Sequence, residues 1–179
     1  MTSSDWNNLT SGLMGAVIGA LAGFVGSVFL NWRIARQTRR AAARAVLAEM
    51  FTNAERALGA ESTLVIHEFF DTAWRTQLPL VAALLRWSDL KTLVRAYDGA
   101  ARAYTNSDPI TTMTQPAAVG RWFLTVAEEW TRAVQVLLPK AIRWRERARF
   151  NRDLQDIQQR LKSATEIKRV VRPPTSPFR

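Results

Sequence analysis

The chain has 179 residues, a hydrophobic content of 47% and a formal net charge of +10. This length suits one domain of ordinary size, and the composition is that of a folded chain. Because the sequence contains no cysteine, disulfides, thiol chemistry and cysteine-ligated metals are excluded. The excess of positive charge predicts an anionic neighbour or partner.

The first predicted element is an apolar helix over residues 9–32, after a short external segment, residues 1–8. No charged residue lies between Asp5 and Arg33, and the apolar run supplies the roughly 20 residues that a bilayer core requires. Acidic or neutral residues precede the run and basic residues follow it, the reverse of a cleaved signal peptide. The pattern predicts a single-pass anchor in the inner (plasma) membrane, with the N-terminus outside and the bulk cytoplasmic.

Small residues recur every four positions along one face of this helix, namely Gly15, Gly19, Gly23 and Ser27. Small side chains let two helix backbones approach closely in lipid, where no hydrophobic force drives association. We therefore predict a homo-oligomer packed through this face. The plainer alternative is that glycine is simply common in membrane helices.

A basic juxtamembrane helix is predicted over residues 33–44. Its five arginines are Arg33, Arg36, Arg39, Arg40 and Arg44. We expect them to contact anionic lipids, at about 1 kcal/mol for each basic group near such a leaflet. The helix is predicted to run on to Leu58 and to end at Gly59, with an apolar stripe toward a core. The stripe comprises Val46, Leu47, Met50, Phe51, Ala54 and Leu58.

The cytoplasmic helical domain is predicted over residues 45–171, with residues 60–70 open between helix and loop. Asp71 is predicted to cap a helix that carries Ala73, Trp74 and Leu78. Pro79 suits the first turn of a further short helix, Leu80 to Trp87, better than a helix interior.

Ser88 is predicted to cap the next helix, and the stretch from Thr105 to Pro116 is predicted to be a loop. The inner face of that helix is expected to hold Leu90, Leu93, Val94 and Tyr97.

A long last helix is predicted from Ala117, with Pro139 kinking it or ending its first half. Beyond the kink, apolar residues follow coiled-coil spacing and form a predicted interaction seam. The seam consists of Phe150, Leu154, Ile157 and Leu161. Docking onto the chain's own core and binding a partner helix are both open for it. A disordered proline-rich tail is predicted over residues 172–179.

Three short stretches carry a resemblance to other proteins. They are Ala48-Glu49-Met50-Phe51-Thr52-Asn53, Phe70-Asp71-Thr72-Ala73-Trp74 and Ala96-Tyr97. Over most of residues 10–105 the chain resembles a loose group of uncharacterised small bacterial and phage membrane proteins. They pair a helix holding a Glu and an Asn with a later Ala-Trp and a later Tyr. The resemblance implies no activity, and it supports one compact helical domain on an anchor.

Residues that would specify a reaction are lacking. His67 is the only histidine, and a lone histidine without suitably spaced partners predicts no metal site. Phosphate-binding and nucleophile-elbow motifs are absent from the sequence. We therefore expect neither catalytic residues nor a cofactor, and predict that the chain is not an enzyme.

Aromatic and basic residues leave binding functions open. Trp6 and Trp32 are expected at the membrane interface, and Trp87 has no assigned place. Core packing is expected for Trp74, Trp122, Trp130 and Trp144. A basic collar, a candidate for anion binding, is formed by Arg143, Arg145, Arg147, Arg149 and Arg152.

The predicted fold is all-α: a transmembrane helix that continues into a cytoplasmic helical bundle with a long C-terminal helix. The predicted function is a membrane-anchored, non-enzymatic interaction or scaffold protein. Two alternatives are a phage- or prophage-type membrane effector in exclusion or defence, and a membrane-tethered nucleic-acid-binding protein. The expected partners are anionic lipids, further copies of the chain and an acidic protein, ahead of nucleic acid.

Overall fold

The computed structural model describes residues 3–63, 68–106 and 114–170, with side chains from residue 12 to residue 166 of these ranges except residue 62. Every regular element in these ranges is an α-helix, which confirms the predicted all-α class. The helices are α1 (Ser3–Thr63), α2 (Thr72–Ala82), α3 (Trp87–Asn106), α4 (Pro116–Ala141) and α5 (Arg147–Val170). The predictions for the Trp6 side chain, His67 and the tail 172–179 fall outside the described residues.

The chain divides into two units, Met1–Thr38 and Arg39–Arg179. In the first unit α1 exposes every described side chain, including large apolar ones on all of its faces. A window of α1 is long and apolar enough to cross a membrane, and none of that window is buried.

The length of α1 follows from its sequence, because residues 3–63 contain no proline. The helix passes through Gly59 and ends at Thr63, so the predicted end at Gly59 is wrong. A glycine inside a helix costs only about 1 kcal/mol relative to alanine. The buried neighbours Ala57 and Ala60 hold this stretch of α1 against the core, which overrides that cost.

The second unit is built on the stripe of α1 that the sequence predicts. All of its members are buried except Phe51, which is half-buried. The alanines Ala42, Ala43 and Ala57 extend the same face, and their small side chains let neighbouring helices approach closely. The core is then completed by α3, α4 and α5, since α3 packs along α4 and α4 packs against α5.

Helix α2 corrects the prediction for Pro79. This proline lies inside α2, and no helix spans Leu80 to Trp87, where residues 83–86 form the turn before α3. Pro79 is exposed while Val81 is fully buried. The pyrrolidine ring therefore faces solvent, and burial of Val81, with Leu80 packed against the core, holds the helix together despite the lost backbone donor.

Helix α3 begins at Trp87, so Ser88 lies in its first turn and is not its cap. Its inner face is formed by Leu93 and by three buried alanines, Ala96, Ala100 and Ala103. Leu90 and Tyr97 are half-buried, whereas Val94 is exposed, and its predicted inward position is wrong. The helix continues through Thr105 to Asn106, and α4 begins at Pro116; of the predicted loop, residues 107–113 are outside the described ranges.

Pro139 lies in the last turn of α4, and the chain turns at residues 142–146 before α5. The turn ends the first half of the predicted long helix instead of only kinking it. The seam of α5 faces inward: Leu154, Ile157 and Leu161 are buried in the core and Phe150 packs against it. The Phe150 ring lies 5.9 Å from that of Phe51 on α1, which shows that the seam docks on the chain's own core.

Candidate functional site

A carboxylate on α1 forms the centre of the most connected polar cluster among the described residues. Glu49 is buried, and its Oε2 accepts the backbone N–H of Ala73 at 2.7 Å. Its Oε1 accepts the backbone N–H of Trp74 at 3.2 Å and the hydroxyl of Tyr97 at 2.6 Å. One side chain thereby connects α1, α2 and α3, and three donors compensate the cost of burying a carboxylate.

Glu49 performs the capping that the sequence assigns to Asp71. Asp71 does precede α2, but its side chain forms no capping hydrogen bond and pairs instead with Arg75 at 2.5 Å. The first N–H groups of a helix lack intrahelical acceptors and carry partial positive charge. A carboxylate from another helix satisfies two of them here, so the predicted role of Asp71 is wrong in its chemistry although right in its position.

Asn53 lies one turn after Glu49 and fixes the chain just before α2. It is fully buried, its Nδ2 donates to the carbonyl of Phe70 at 2.7 Å, and its Oδ1 accepts the N–H of Phe70 at 2.9 Å. This paired contact satisfies the backbone of a residue outside any helix. Arg56, one turn further on, donates to the carbonyl of Glu68 and lies 3.7 Å from the centre of the Phe70 ring.

Two aromatic rings, those of Trp74 and Trp130, pack against the ring of Tyr97. The Tyr97 ring is stacked on Trp74 with centroids 4.6 Å apart, and it meets Trp130 edge-on at 4.4 Å. Burial, followed by the hydrogen bond to Glu49, raises the pKa of Tyr97 above its ordinary value. Tyr97 therefore stays protonated and donates to Glu49. Trp130 is fully buried, and its Nε1 has no hydrogen-bond acceptor among the described residues.

A cavity of about 390 Å³ lies beside this cluster. Its wall is largely aromatic and includes Phe70, Trp74, Tyr97, Tyr104 and Trp130. Glu68, Asp71 and Arg75 add charge to the same wall, and Asp71 and Arg75 pair with each other. The three donors bonded to Glu49 come from α2 and α3, so the cluster holds these two helices against α1.

The predicted packing face in the first unit is open. A Cβ added at Gly15, Gly19 or Gly23 would meet nothing within 4 Å, and all four residues of the face are exposed. Ser27 donates its hydroxyl to the carbonyl of Phe24 at 2.8 Å, within its own helix. No described side chain covers this face.

The juxtamembrane arginines differ in their contacts. Arg36 lies 5.2 Å from the Trp32 ring centre, and Arg33 and Arg39 are exposed. Arg44 is engaged: its Nε donates to the carbonyl of Ala141 at 3.3 Å and its Nη2 pairs with Glu146 at 2.9 Å. Arg44 therefore joins α1 to the end of α4, which leaves it less free for lipid than predicted. Arg40, the fifth, is half-buried.

The basic collar is not one site. Arg147 donates to the carbonyls of Ile142 at 3.3 Å and Pro139 at 3.0 Å, so it closes the end of α4. Arg149 and Arg152 line a cavity of about 510 Å³ together with three acidic residues, Glu55, Asp153 and Asp156. Acidic side chains that share the cavity weaken it as an anion site. Arg143 and Arg145 remain exposed, and Arg145 lies 5.2 Å from the Trp144 ring centre.

The tryptophans divide between core and surface. Trp130 is buried and Trp74 half-buried, as expected for core residues. Trp144 is 73% exposed and Trp122 is 37% exposed. Core packing is therefore wrong for both Trp122 and Trp144. For Trp144 the reason is that α4 ends at Ala141, so the apolar stripe of that helix does not extend to residue 144.

Glu49, Asn53, Trp74 and Tyr97 were not predicted as site residues. Two signals were available. Glu49 and Asn53 are polar residues on the apolar stripe of α1, four positions apart. They also belong, with the Ala-Trp and the Tyr, to the stretches that carry the resemblance. The structure brings these stretches into one hydrogen-bonded cluster.

Fold and site together define a helical bundle on a long N-terminal helix that is apolar enough to cross a membrane. No protein-family model, curated protein or solved structure matches the chain. Across residues 3–63, 68–106 and 114–170 no group of three or more His, Cys, Asp or Glu side chains is arranged to hold a metal ion.

Proposed function

We propose that this chain is a membrane-anchored, non-enzymatic interaction protein that self-associates through its glycine-rich helix. The observation that carries the proposal is the exposed apolar surface of α1 before residue 39. A core helix of a soluble protein would bury such a surface, and a large exposed apolar surface is costly in water. Lipid removes that cost.

The orientation of the proposed anchor follows from the arginines after it. Arg33, Arg36 and Arg39 follow the apolar run directly and form no ion pair among the described residues. Basic residues beside a span stay on the cytoplasmic side. The helical domain would then lie in the cytoplasm, and the N-terminus outside.

Labelling of single cysteines tests the orientation without background, because the natural chain has no cysteine. In intact cells, a membrane-impermeant maleimide should label Ser3→Cys, while Ser176→Cys should react only after the membrane is opened. Labelling of the Ser176→Cys variant in intact cells would overturn the orientation. Release of the protein by alkaline carbonate would overturn the anchor itself.

Self-association is proposed to use Gly15, Gly19 and Gly23, where close approach of a second helix meets no side chain. Gly19→Ile should separate the helices and remove close packing worth about 1–2 kcal/mol. Leu21→Ile is the control: it also places an isoleucine on the helix, about 200° around from Gly19 and therefore away from the proposed interface. Mass photometry in mild detergent should show smaller particles for Gly19→Ile only. Equal sizes for both variants and the natural chain would contradict the proposed interface.

The domain beyond residue 39 is proposed to present a fixed surface to its partners. Support comes from the number of independent contacts that hold its helices together, including the Glu49 cluster and the Arg44 contacts at the end of α4. Glu49 and Tyr97 hydrogen-bond to each other in this network, which favours a structural role over a catalytic one.

A further inference from the structure

Contacts between α1, α3 and α4 in the second unit show the directions in which these helices run relative to one another. Arg44 of α1 contacts the last residue of α4, Ala141, whereas Glu49 lies at the level of Tyr97 and Trp130. On moving along α1, the contacts on α4 therefore move toward its start. The carboxylate of Glu129 lies against Gly99, so α3 and α4 are in register there.

This register places the start of α3 beside the end of α4. From Gly99 and Glu129, twelve residues toward the start of α3 and twelve toward the end of α4 reach Trp87 and Ala141. Tyr97 meets Trp130, while Gly99, two residues later on α3, meets Glu129, one residue earlier on α4, so the two helices run antiparallel. At 1.5 Å per residue each path covers about 18 Å. The turns before α3 and after α4 consequently lie at one end of the domain, the end that contains Arg44.

A tryptophan next to arginine is exposed at the start of α3 and another in the turn after α4. Trp87 is 72% exposed and follows Arg86, and Trp144 is 73% exposed between Arg143 and Arg145. They are the two most exposed tryptophans among the described residues. The second turn is held in place, because Arg147 and Arg44 donate to the carbonyls that end α4.

The charge at this end is positive. Its arginines without an ion pair among the described residues are Arg39, Arg40, Arg86, Arg143 and Arg145. The acidic residues here are Asp89 and Glu146, and Glu146 is paired with Arg44. This end of the second unit thus combines two exposed aromatic rings with an excess of arginine.

We propose that this end, defined by Trp87, Trp144 and the arginines beside them, docks on the anionic surface of the membrane that α1 enters. The proposal rests on the proposed membrane anchor. Amphipathic aromatic rings favour the headgroup level, and arginine is attracted by anionic lipids. The two exposed rings lie at the start of α3 and in the turn after α4, an arrangement that suits a planar surface. In the sequence, Arg39 and Arg40 of this end come within four residues of Arg36, which is expected beside the span.

The test uses the full chain, reconstituted in vesicles of phosphatidylcholine with or without phosphatidylglycerol. A fluorophore on Ser88→Cys reports the start of α3 and leaves Trp87 in place. Quenchers are lipids spin-labelled on the headgroup or deep in the acyl chain. Docking predicts loss of fluorescence with the headgroup quencher in anionic vesicles, and recovery at high salt. The same fluorophore on Tyr104→Cys, at the opposite end of α3, should lose none.

Substitutions at the other turn then test whether the two turns dock together. Arg143→Gln or Arg145→Gln should lower the ratio of docked to undocked domain, read at position 88, roughly fivefold each. Trp144→Ala should lower it as well. The control Trp122→Ala changes an exposed tryptophan near the start of α4, away from this end, and should leave it unchanged.

A second labelled position distinguishes failure of the proposed anchor from failure of the proposed docking face. A fluorophore on Ala20→Cys should be quenched by the acyl-chain label whether or not the domain docks. If position 20 is quenched and position 88 is not, the docking proposal is overturned and the anchor stands. If position 20 is not quenched, the proposed anchor is wrong, and the docking proposal falls with it.

Discussion

Replacing Glu49 by glutamine tests the central cluster with little change in side-chain volume. In the natural chain Oε2 accepts from Ala73 and Oε1 accepts from both Trp74 and Tyr97. A glutamine keeps one acceptor oxygen and places an NH₂ group where the other stood. In either orientation of the amide, a donor then faces a donor at the start of α2.

The expected loss of stability follows from two contributions. One hydrogen bond to a charged acceptor is worth about 1.5–3 kcal/mol when its loss leaves a donor unpaired. Loss of negative charge at a helix N-terminus adds about 0.3–1 kcal/mol. We therefore expect Glu49→Gln to lower the free energy of unfolding by about 2–4 kcal/mol. That is a large part of the roughly 5–15 kcal/mol that stabilises a typical domain.

The measurement is urea unfolding of the full chain in mild detergent, followed by near-UV circular dichroism, which reports the packed aromatic rings. The matched control is Glu55→Gln, an exposed glutamate on the same helix, with an expected change within about 0.5 kcal/mol. Tyr97→Phe and the double variant complete a mutant cycle, whose coupling energy isolates the bond between the two side chains. If Glu49→Gln costs no more than Glu55→Gln, the carboxylate does not hold α2, and the reasoning is refuted.

Three further predictions address the core, α1 and pH. Leu154→Asp combined with Ile157→Asp should lower the melting temperature of the domain, because each buried apolar side chain contributes about 1.5–3 kcal/mol; an unchanged melting temperature would mean that the seam does not dock. Gly59→Ala should raise stability by about 0.5–1 kcal/mol in urea unfolding, since a Cβ there meets nothing within 4 Å. The raised pKa of Tyr97 means that its contribution is intact below about pH 10, the unfolded value, and declines above it. In a Tyr104→Phe background, tyrosinate absorbance should therefore appear only as the domain unfolds, and its appearance in the folded chain would contradict the prediction.

Local patterns in the sequence were enough to predict the apolar stripe of α1 and the seam of α5. The stripe from Val46 to Leu58 and the spacing of Leu154 and Ile157 are helical periodicities, which can be read without knowing the neighbours. The all-α class follows from the same signals. What occupies the other side of each stripe is not local, and the sequence left docking and partner binding equally open for the seam.

The predictions for Asp71 and Pro79 were wrong because contacts with distant residues outweighed the local sequence signal. Asp71 has the residue type and position of an N-cap, but Glu49 on another helix makes the bonds. Pro79 has the look of a helix start, but burial around it keeps it inside α2. Neither competitor is visible within a few positions of the residue concerned, so capping and proline rules gave plausible but wrong answers.

The Glu49 cluster also sets an order of events during synthesis. Glu49 leaves the ribosome 48 residues before Tyr97, which corresponds to about 2–10 s at ordinary rates of elongation. Until then its carboxylate lacks the hydroxyl donor from α3, and α2, at 11 residues, is too short to persist alone. The apolar segment before residue 39 is complete well before this, so the helical domain closes on a chain whose N-terminal segment has already had time to reach a membrane.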